Sequence, residues 1–277
     1  MTNKKRLAYV FTSILALLFV ACEKPLVENE QEKVKDTDGV TLIFEAPTAE
    51  PYAEIGGDGN TCAIKNAPLT QLSVCLFKDG KRVKSVHLSA DNELFMKPSL
   101  QLDDGTYTVV AVAHAGIDHA TISKTQRIAF HKNKVTDTYM YNGEITVSGN
   151  NTLTLPMTRV TAKFQLCVTT PLPKDVTQIE FRYTGGSSTL DAKSHEGCVN
   201  SRQTETREVD EEMRKSPPTF AIYTFPRADS DGLKIKVYFN DKSGRTLFAA
   251  DYEEVPVMVG KKTSYKCELP KDFVDAL

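Results

Sequence analysis

The residues best suited to chemistry in this chain of 277 residues are its six cysteines and five histidines. His114 and His119 flank Gly116 at a spacing that suits neither two ligands on a helix nor two on one strand face, so we expect them in a surface loop. No two cysteines form a Cys-x-x-Cys pair, and their spacing matches no zinc-site pattern. The sequence therefore predicts no metal site and no cofactor.

The common catalytic and phosphate-binding motifs are missing from the sequence. It contains no Gly-x-Ser-x-Gly, no His-Glu-x-x-His, no phosphate-binding loop and no dinucleotide fingerprint. Gly56–Asn60 (GGDGN) offers too few oxygen ligands for a calcium loop and predicts a turn. The net charge of −2, without a basic tract, argues against a nucleic-acid partner. We expect neither catalysis nor a small-molecule substrate.

The first cysteine, Cys22, ends an apolar run. A basic head precedes the fifteen uncharged residues 7–21. As a helix they would rise about 22 Å, less than the roughly 30 Å of a hydrocarbon core, so the run is typical of a secretory signal. Its end, FVAC, resembles a bacterial lipobox, with Phe19 where leucine is usual. The resemblance implies cleavage between Ala21 and Cys22 and acylation of the Cys22 thiol.

Acylation of Cys22 would decide where the protein resides. One acyl chain holds a protein to a membrane only marginally, at about 0.8 kcal/mol for each buried methylene, whereas two or three chains would hold it permanently. We therefore expect residues 1–21 to be a lipoprotein signal peptide and the mature chain to be attached to the outer membrane through lipid on Cys22. An ordinary cleaved signal, or an uncleaved anchor with Cys22 incidental, is the alternative.

Residues 22–39 predict a lipidated cysteine followed by an acidic tether. The part from Glu23 to Gly39 holds six acids and three lysines but few apolar side chains. Such a segment cannot bury enough surface to offset the entropy of ordering it, so we expect a disordered coil of roughly 20–25 Å end to end. Acids just after an acylated cysteine also resemble the surface-export signals of Bacteroides-type lipoproteins, although a plain spacer would look the same.

Alternation of apolar and polar residues covers most of the rest of the chain and is typical of strands. Val40–Ala46 (VTLIFEA) places Val40, Leu42 and Phe44 on one face, and Asp79-Gly80 is a hairpin turn signal. Short strands at this spacing indicate an all-β fold of antiparallel sandwiches. Val209–Lys215 predicts one or two helical turns at most.

The strand pattern restarts after Pro156. Arg159–Val168 is a fresh strand, and five further strand patterns follow it. His195–Pro218 is polar and too long for an ordinary hairpin. The sequence thus predicts two β-sandwich domains in tandem, an N-terminal domain at 40–157 and a C-terminal domain at 158–277. One continuous large sandwich is the alternative.

The cysteines that follow Cys22 are an odd number, so at least one is unpaired within a monomer. Cys75 and Cys167 lie in apolar strand patterns, where a free cysteine behaves as a small hydrophobe. Disulfides are permitted outside the cytoplasm. The sequence assigns no pairing among these five residues, which are Cys62, Cys75, Cys167, Cys198 and Cys267.

Three stretches resemble one family. Leu153–Val168 resembles the interdomain strand of the fimbrillin superfamily, and the match is closest to the FimB-type anchor lipoproteins of Bacteroides-type fimbriae. Leu102–Gly116 resembles a first-domain strand of that family, and Val255–Leu269 resembles its closing strand pair. The likeness spans residues 40–269. It implies transthyretin-like domains and assembly by strand exchange, in which a neighbour's strand fills the groove left when a protease removes the first strand of a stalk subunit.

The resemblance implies a membrane-anchored structural subunit that holds or initiates a fimbria at its base and contacts fimbrial stalk subunits. No arginine lies between Arg6 and Arg82 to direct an arginine-specific protease to the first strand, and the short stretch after Pro270 suits no long donor strand. We expect the receiving edge among strands of Tyr252–Leu269. A fimbrial tip or adhesin lipoprotein is the alternative, followed by a sugar-binding surface lipoprotein, which the lack of tryptophan disfavours.

Overall fold

The computed structural model describes residues 39–58, 62 and 64–274, apart from the side chains of Asp272 and Val274. These residues belong to one compact unit. Ten strands precede residue 157: β1 (Val40–Glu45), β2 (Ala53–Gly57), β3 (Gln71–Lys78), β4 (Lys81–Ser89), β5 (Ser99–Leu100), β6 (Gly105–His114), β7 (Thr121–Ile122), β8 (Arg127–Ala129), β9 (Thr138–Val147) and β10 (Thr152–Pro156). Ten follow it: β11 (Thr158–Arg159), β12 (Ala162–Val168), β13 (Gln178–Thr184), β14 (Thr189–Asp191), β15 (Glu196–Gly197), β16 (Gln203–Glu208), β17 (Thr219–Thr224), β18 (Leu233–Asn240), β19 (Thr246–Val255) and β20 (Lys261–Cys267).

Helices are short in the described residues. α1 spans Glu211–Lys215, α2 spans Lys271–Val274, and a 3-10 turn spans His131–Asn133. Asp210 begins α1 because its side chain accepts a hydrogen bond from the Met213 N–H. No helix within the described ranges is long and apolar enough to cross a membrane.

The first sandwich packs two sheets face to face, in the strand orders β10-β1-β5 and β11-β9-β6-β3-β4. The Val, Leu and Phe side chains of β1 all point into the core and alternate with less buried residues, as a half-buried strand requires. β1 pairs in parallel with β10 and antiparallel with β5. The core between the sheets is built from apolar side chains that include Leu42, Phe44, Leu76, Val109 and Tyr139.

The second sandwich packs the sheets β17-β12-β20-β2 and β16-β13-β18-β19. Its core includes Phe164, Leu166, Phe181, Val237 and Phe239. β12 pairs in parallel with β20 and antiparallel with β17. β2, which precedes the first sandwich's β3 in the chain, pairs in parallel with β20. The second sandwich therefore takes one edge strand from the chain's earlier half.

A fifth sheet, in the order β15-β14-β8-β7, joins short strands from before and after residue 157. β8 pairs antiparallel with β14 through Leu190 and Ile128. An apolar cluster packs here with members from both halves of the chain, among them Phe77, Val112 and Phe225. Strand pairing and packing therefore cross the position at which the sequence pattern restarts.

The all-β prediction is confirmed. The hairpin predicted at Asp79-Gly80 is also confirmed, since β3 and β4 pair antiparallel and both turn residues have positive φ angles, 52° and 73°. The helix predicted within Val209–Lys215 exists as α1. The transthyretin-like description and the division into 40–157 and 158–277 remain predictions. The turn predicted at Gly56–Asn60 is wrong for its first two residues, which belong to β2.

Candidate functional site

The described residues between β1 and β3, which are 46–58, 62 and 64–70, are here called the strap, and they cover the outer face of the sheet that contains β12. The strap contributes β2 to that sheet and buries Tyr52, which is 4% exposed. All seven residues of β12 are buried, so both of its faces are covered. The faces differ in chemistry. Phe164 and Leu166 point into the core of the second sandwich, whereas Lys163, Gln165 and Cys167 alternate with them on the covered face.

Contacts with the strap satisfy the polar side chains on the covered face of β12. Gln165 Nε2 donates to the carbonyl oxygen of Cys62 and lies 3.2 Å from its sulfur. The ammonium of Lys163 lies 5.6 Å from the ring centroid of Tyr52 and 5.9 Å from that of Tyr223. Burial lowers the pKa of Lys163 to about 8, against an opposing effect of the Asp137 carboxylate. This face is therefore polar but buried.

A buried ion pair ties the strap to the end of the first sandwich. Arg159 Nε lies 3.1 Å from Asp137 Oδ1, and the two side chains are 8% and 2% exposed. Tyr52 donates to the same carboxylate oxygen at 2.7 Å and lies 2.7 Å from the Thr161 hydroxyl. The guanidinium stacks 4.1 Å from the Tyr52 ring centroid and also donates to the Tyr139 hydroxyl.

The ion pair needs these added hydrogen bonds because a buried charge is costly unless its remaining donors and acceptors are satisfied. One Arg159 nitrogen also donates to the strap carbonyl of Glu50 at 3.0 Å. Burial raises the pKa of Tyr52 far above its usual range, and the neighbouring Asp137 charge adds to this effect. Burial likewise raises the pKa of Tyr139 to about 12. Both phenols therefore stay protonated and keep their hydrogen-bonding roles.

A disulfide joins Cys62 of the strap to Cys167 of β12. The interpretation of Cys167 as a free, small hydrophobe is therefore wrong, because the strap brings a second thiol to its face of the strand. Cys75 is buried and free, as that interpretation predicts, while Cys198 and Cys267 are free among the described residues. Only proximity in the fold identifies the bonded pair, since 105 positions separate the two cysteines.

The histidines do not form a metal site in the described part of the chain. The prediction of a surface loop is wrong for His114, which ends β6 and is 2% exposed, but His119 is exposed as predicted. Burial lowers the pKa of His114 to about 4, and nearby His119 adds to the shift. The rings of His87 and His119 are tilted by 39° and have centroids 4.3 Å apart. No group of three potential ligands among the described residues could hold a metal ion.

Two long strands, β4 and β19, lie at sheet edges, and in the part of the chain that the structure describes no strand pairs with the outer side of either one, which is the feature that strand addition requires. β4 carries Lys81, Arg82 and an exposed Val83. β19 spans Thr246–Val255, and its solvent face is acidic and paired with lysines of β18. The expectation that the receiving edge lies among residues 252–269 is wrong for β20, which lies between β12 and β2. It remains open for β19.

The predicted lipidation site lies outside the described residues. Nothing about Cys22, or about the predicted cleavage after Ala21, can be read from the structure. The described chain begins with Gly39, directly before β1. Any attachment through Cys22 would therefore reach the fold through β1 first.

Comparisons with known proteins identify the family. The family model of the fimbrillin-A associated anchor proteins Mfa1 and Mfa2 matches residues 59–267, which is most of the chain. A comparison with curated proteins found no match. A candidate polysaccharide-binding protein from Bacteroides thetaiotaomicron superimposes with a TM-score of 0.50 at 11% identity, covering 84% of this chain and 91% of that chain. At that identity the likeness shows the fold alone.

Two further solved structures are similar to this chain. The fimbrial anchor protein Mfa2 from Porphyromonas gingivalis has 16% identity and a TM-score of 0.38, and the match covers 78% of this chain and 81% of that chain. A candidate adhesin from Bacteroides ovatus has 12% identity and a TM-score of 0.49, covering 83% and 86%. The resemblance to fimbrial anchor proteins is confirmed by the family match: the chain belongs to the fimbrillin-A associated anchor proteins and is a fimbria-associated protein of the cell surface.

Proposed function

We propose that this protein is the lipid-attached base subunit of a fimbria. Acyl chains on Cys22 hold the protein in the outer membrane, and residues 23–39 connect this cysteine to the folded part. The folded part contacts the first stalk subunit. The role is structural and involves no catalysis. Membership of the anchor-protein family, through residues 59–267, is the observation that carries the proposal.

The position of β1 supports retention of the first strand. Val40, Leu42 and Phe44 are 1%, 0% and 3% exposed, and β1 pairs with a strand on each side. Burying three such side chains contributes about 1.5–3 kcal/mol each, so removal of β1 would open the first core. Cleavage within β1 would also separate the fold from Cys22. An anchor must keep this strand, whereas a stalk subunit that exchanges strands loses it.

We place the contact with the stalk subunit at β19. β19 pairs with β18 on one side, and no described strand pairs with its other side. Leu247, Phe248 and Tyr252 keep its inner face packed on the second core. An added strand would gain main-chain hydrogen bonds, and its alternate side chains would meet the acidic solvent face. Exposed residues Ala249 and Asp251 mark that face.

The attachment is tested by labelled acyl incorporation into the full chain in its native cells. We expect label in the wild type and in Cys198→Ala, and none in Cys22→Ala. The Cys22→Ala cells should shed fimbriae into the medium. Label that survives Cys22→Ala, or deletion of the protein with fibres still normally attached, would exclude the proposed function. Immunogold labelling at the distal end of fibres would favour the tip or adhesin alternative.

The contact is tested by site-specific photo-crosslinking from exposed edge positions in the full chain. A crosslinker at Ala249 on β19 should capture a fimbrial subunit, whereas the same group at Val83 on β4, which is 49% exposed, should not. Both positions lie on long edge strands, so they form a matched pair. Capture from Val83 alone would move the contact to β4 and refute the assignment to β19.

A further inference from the structure

The disulfide creates a covalent shortcut in the chain. Cys62 lies in the strap, and Cys167 lies in β12 after a separation of 105 positions. The intervening residues include all of β3, β4, β6, β9 and β10, and therefore most of the first sandwich. A force that enters ahead of Cys62 and leaves beyond Cys167 can pass through the sulfur–sulfur bond without stretching those strands.

The strand pairings before the disulfide are oriented to resist such a force. β1 and β10 are parallel, with Thr41 opposite Thr152 and Glu45 opposite Pro156. A pull toward the membrane acts on the start of β1, while the opposing pull acts beyond the end of β10. The two strands are therefore sheared, and their hydrogen bonds are loaded together rather than one by one. β2 and β20 are also parallel, so a pull applied at the two ends of the chain shears this pair in the same way once β1 has detached.

We infer that the Cys62–Cys167 disulfide transmits the force when the protein is under tension. This inference rests on the proposed function, because it requires lipid ahead of Gly39 and a fibre bound beyond Cys167. If β1 detaches, residues 40–61 can extend to only about 75 Å before the force reaches the disulfide. The load then enters β12, which is held between β17 and β20. The rest of the first sandwich then lies outside the load path and is not stretched.

Single-molecule stretching tests the load path directly. The full mature chain, held by handles at its two ends, is pulled with the disulfide oxidised. The increase in length on complete unfolding should be about 350 Å smaller than that of a chain without the disulfide. This difference is the extended length of the 105 positions that the disulfide bridges. Reductant added to the folded wild type should restore that length, so the test does not depend on a variant that folds. Full release from the oxidised wild type would overturn the inference.

Fibre retention under flow tests the inference in cells. The variant Cys62→Ser/Cys167→Ser should lose fibres several-fold faster than wild type under flow at equal static fibre counts. Asp137→Ala is the matched control, because it weakens the contact between the strap and the first sandwich but keeps the disulfide. Equal losses from both variants, or from neither, would overturn the inference. The proposed function fails separately, if deletion of the protein leaves fibre attachment unchanged.

Discussion

Strands β12 and β18 lie in opposite sheets of the second sandwich and alternate in the same way. β12 has Lys163 and Gln165 between its core residues, and β18 has Lys234 and Lys236 between its own. On β18 the lysines face solvent and pair with Glu253 and Asp251 of β19, at 3.2 and 3.1 Å. On β12 the corresponding face is buried beneath the strap.

The difference shows that an alternating sequence predicts burial of the apolar face of a strand but does not predict whether the polar face is exposed. A polar face can stay in water, as on β18, or it can be buried if each polar group meets a partner. On β12 the partners come from the strap: the Cys62 carbonyl for Gln165, a disulfide for Cys167 and the ring of Tyr52 for Lys163. Substitutions on the two faces should therefore differ greatly in cost.

Removal of the disulfide should give the largest effect. Cys62→Ser/Cys167→Ser frees a loop that spans 105 positions, and a loop of about this length costs roughly 4–5 kcal/mol of unfolding free energy in the chain-entropy model. We expect a melting temperature lower by about 10–15 °C, measured by calorimetry on the full chain. Cys198→Ser removes a free thiol and should change little. A double variant that melts with the wild type would contradict the role of the strap.

Breaking the buried ion pair should come next. Asp137→Ala leaves the Arg159 guanidinium buried without its carboxylate, which costs about 3–4 kcal/mol. Denaturant titration should show this loss as a lower midpoint with an unchanged slope. Asp251→Ala on β19 removes a carboxylate from an exposed pair and should leave the midpoint nearly unchanged. Equal effects of the two substitutions would refute the difference drawn between buried and exposed ion pairs.

Structural features that depend on residues close together in the chain could be predicted from the sequence. The period-two pattern of Val40–Ala46 and the Asp79-Gly80 turn depend on neighbours in the chain, and both predictions are confirmed. β16, Gln203–Glu208, was missed because it lacks an apolar run and gains its structure by pairing with β13. Such a strand forms because it pairs with a strand that is distant in the sequence.

The candidate site was harder to predict because its contacts are long-range. Cys62 and Cys167 meet only through the path of the strap, and no spacing rule connects cysteines 105 positions apart. His114 was misplaced for the same reason, since Phe130 packs edge-on against its ring at 5.0 Å and helps to bury it. The lipid signal at Cys22 is the opposite case. It can be read from sequence alone, and no described residue bears on it.

Burial of Lys163 should make the stability of the protein depend on pH. Burial lowers its pKa to about 8, below the value of about 10.4 expected in the unfolded chain. Between these values the unfolded chain binds more protons, so stability rises with pH. We expect the unfolding free energy contributed by Lys163 to rise by about 1.5 kcal/mol from pH 8 to 9.5, measured by urea titration. In Lys163→Met this rise should disappear, and an unchanged rise would contradict the assignment.

The smallest effect is expected from Lys236→Met, the same substitution on the exposed face. Lys236 pairs with Asp251 across two strands at 3.1 Å, but both side chains are more than half exposed. Water and salt screen such a pair, so its loss should leave the melting temperature within experimental error and the pH profile unchanged. A parallel scan of Lys236→Met and Lys163→Met at several pH values makes the comparison direct, because the chemical change is identical. If Lys236→Met altered the pH profile as much as Lys163→Met, burial by the strap would not be the cause of the difference.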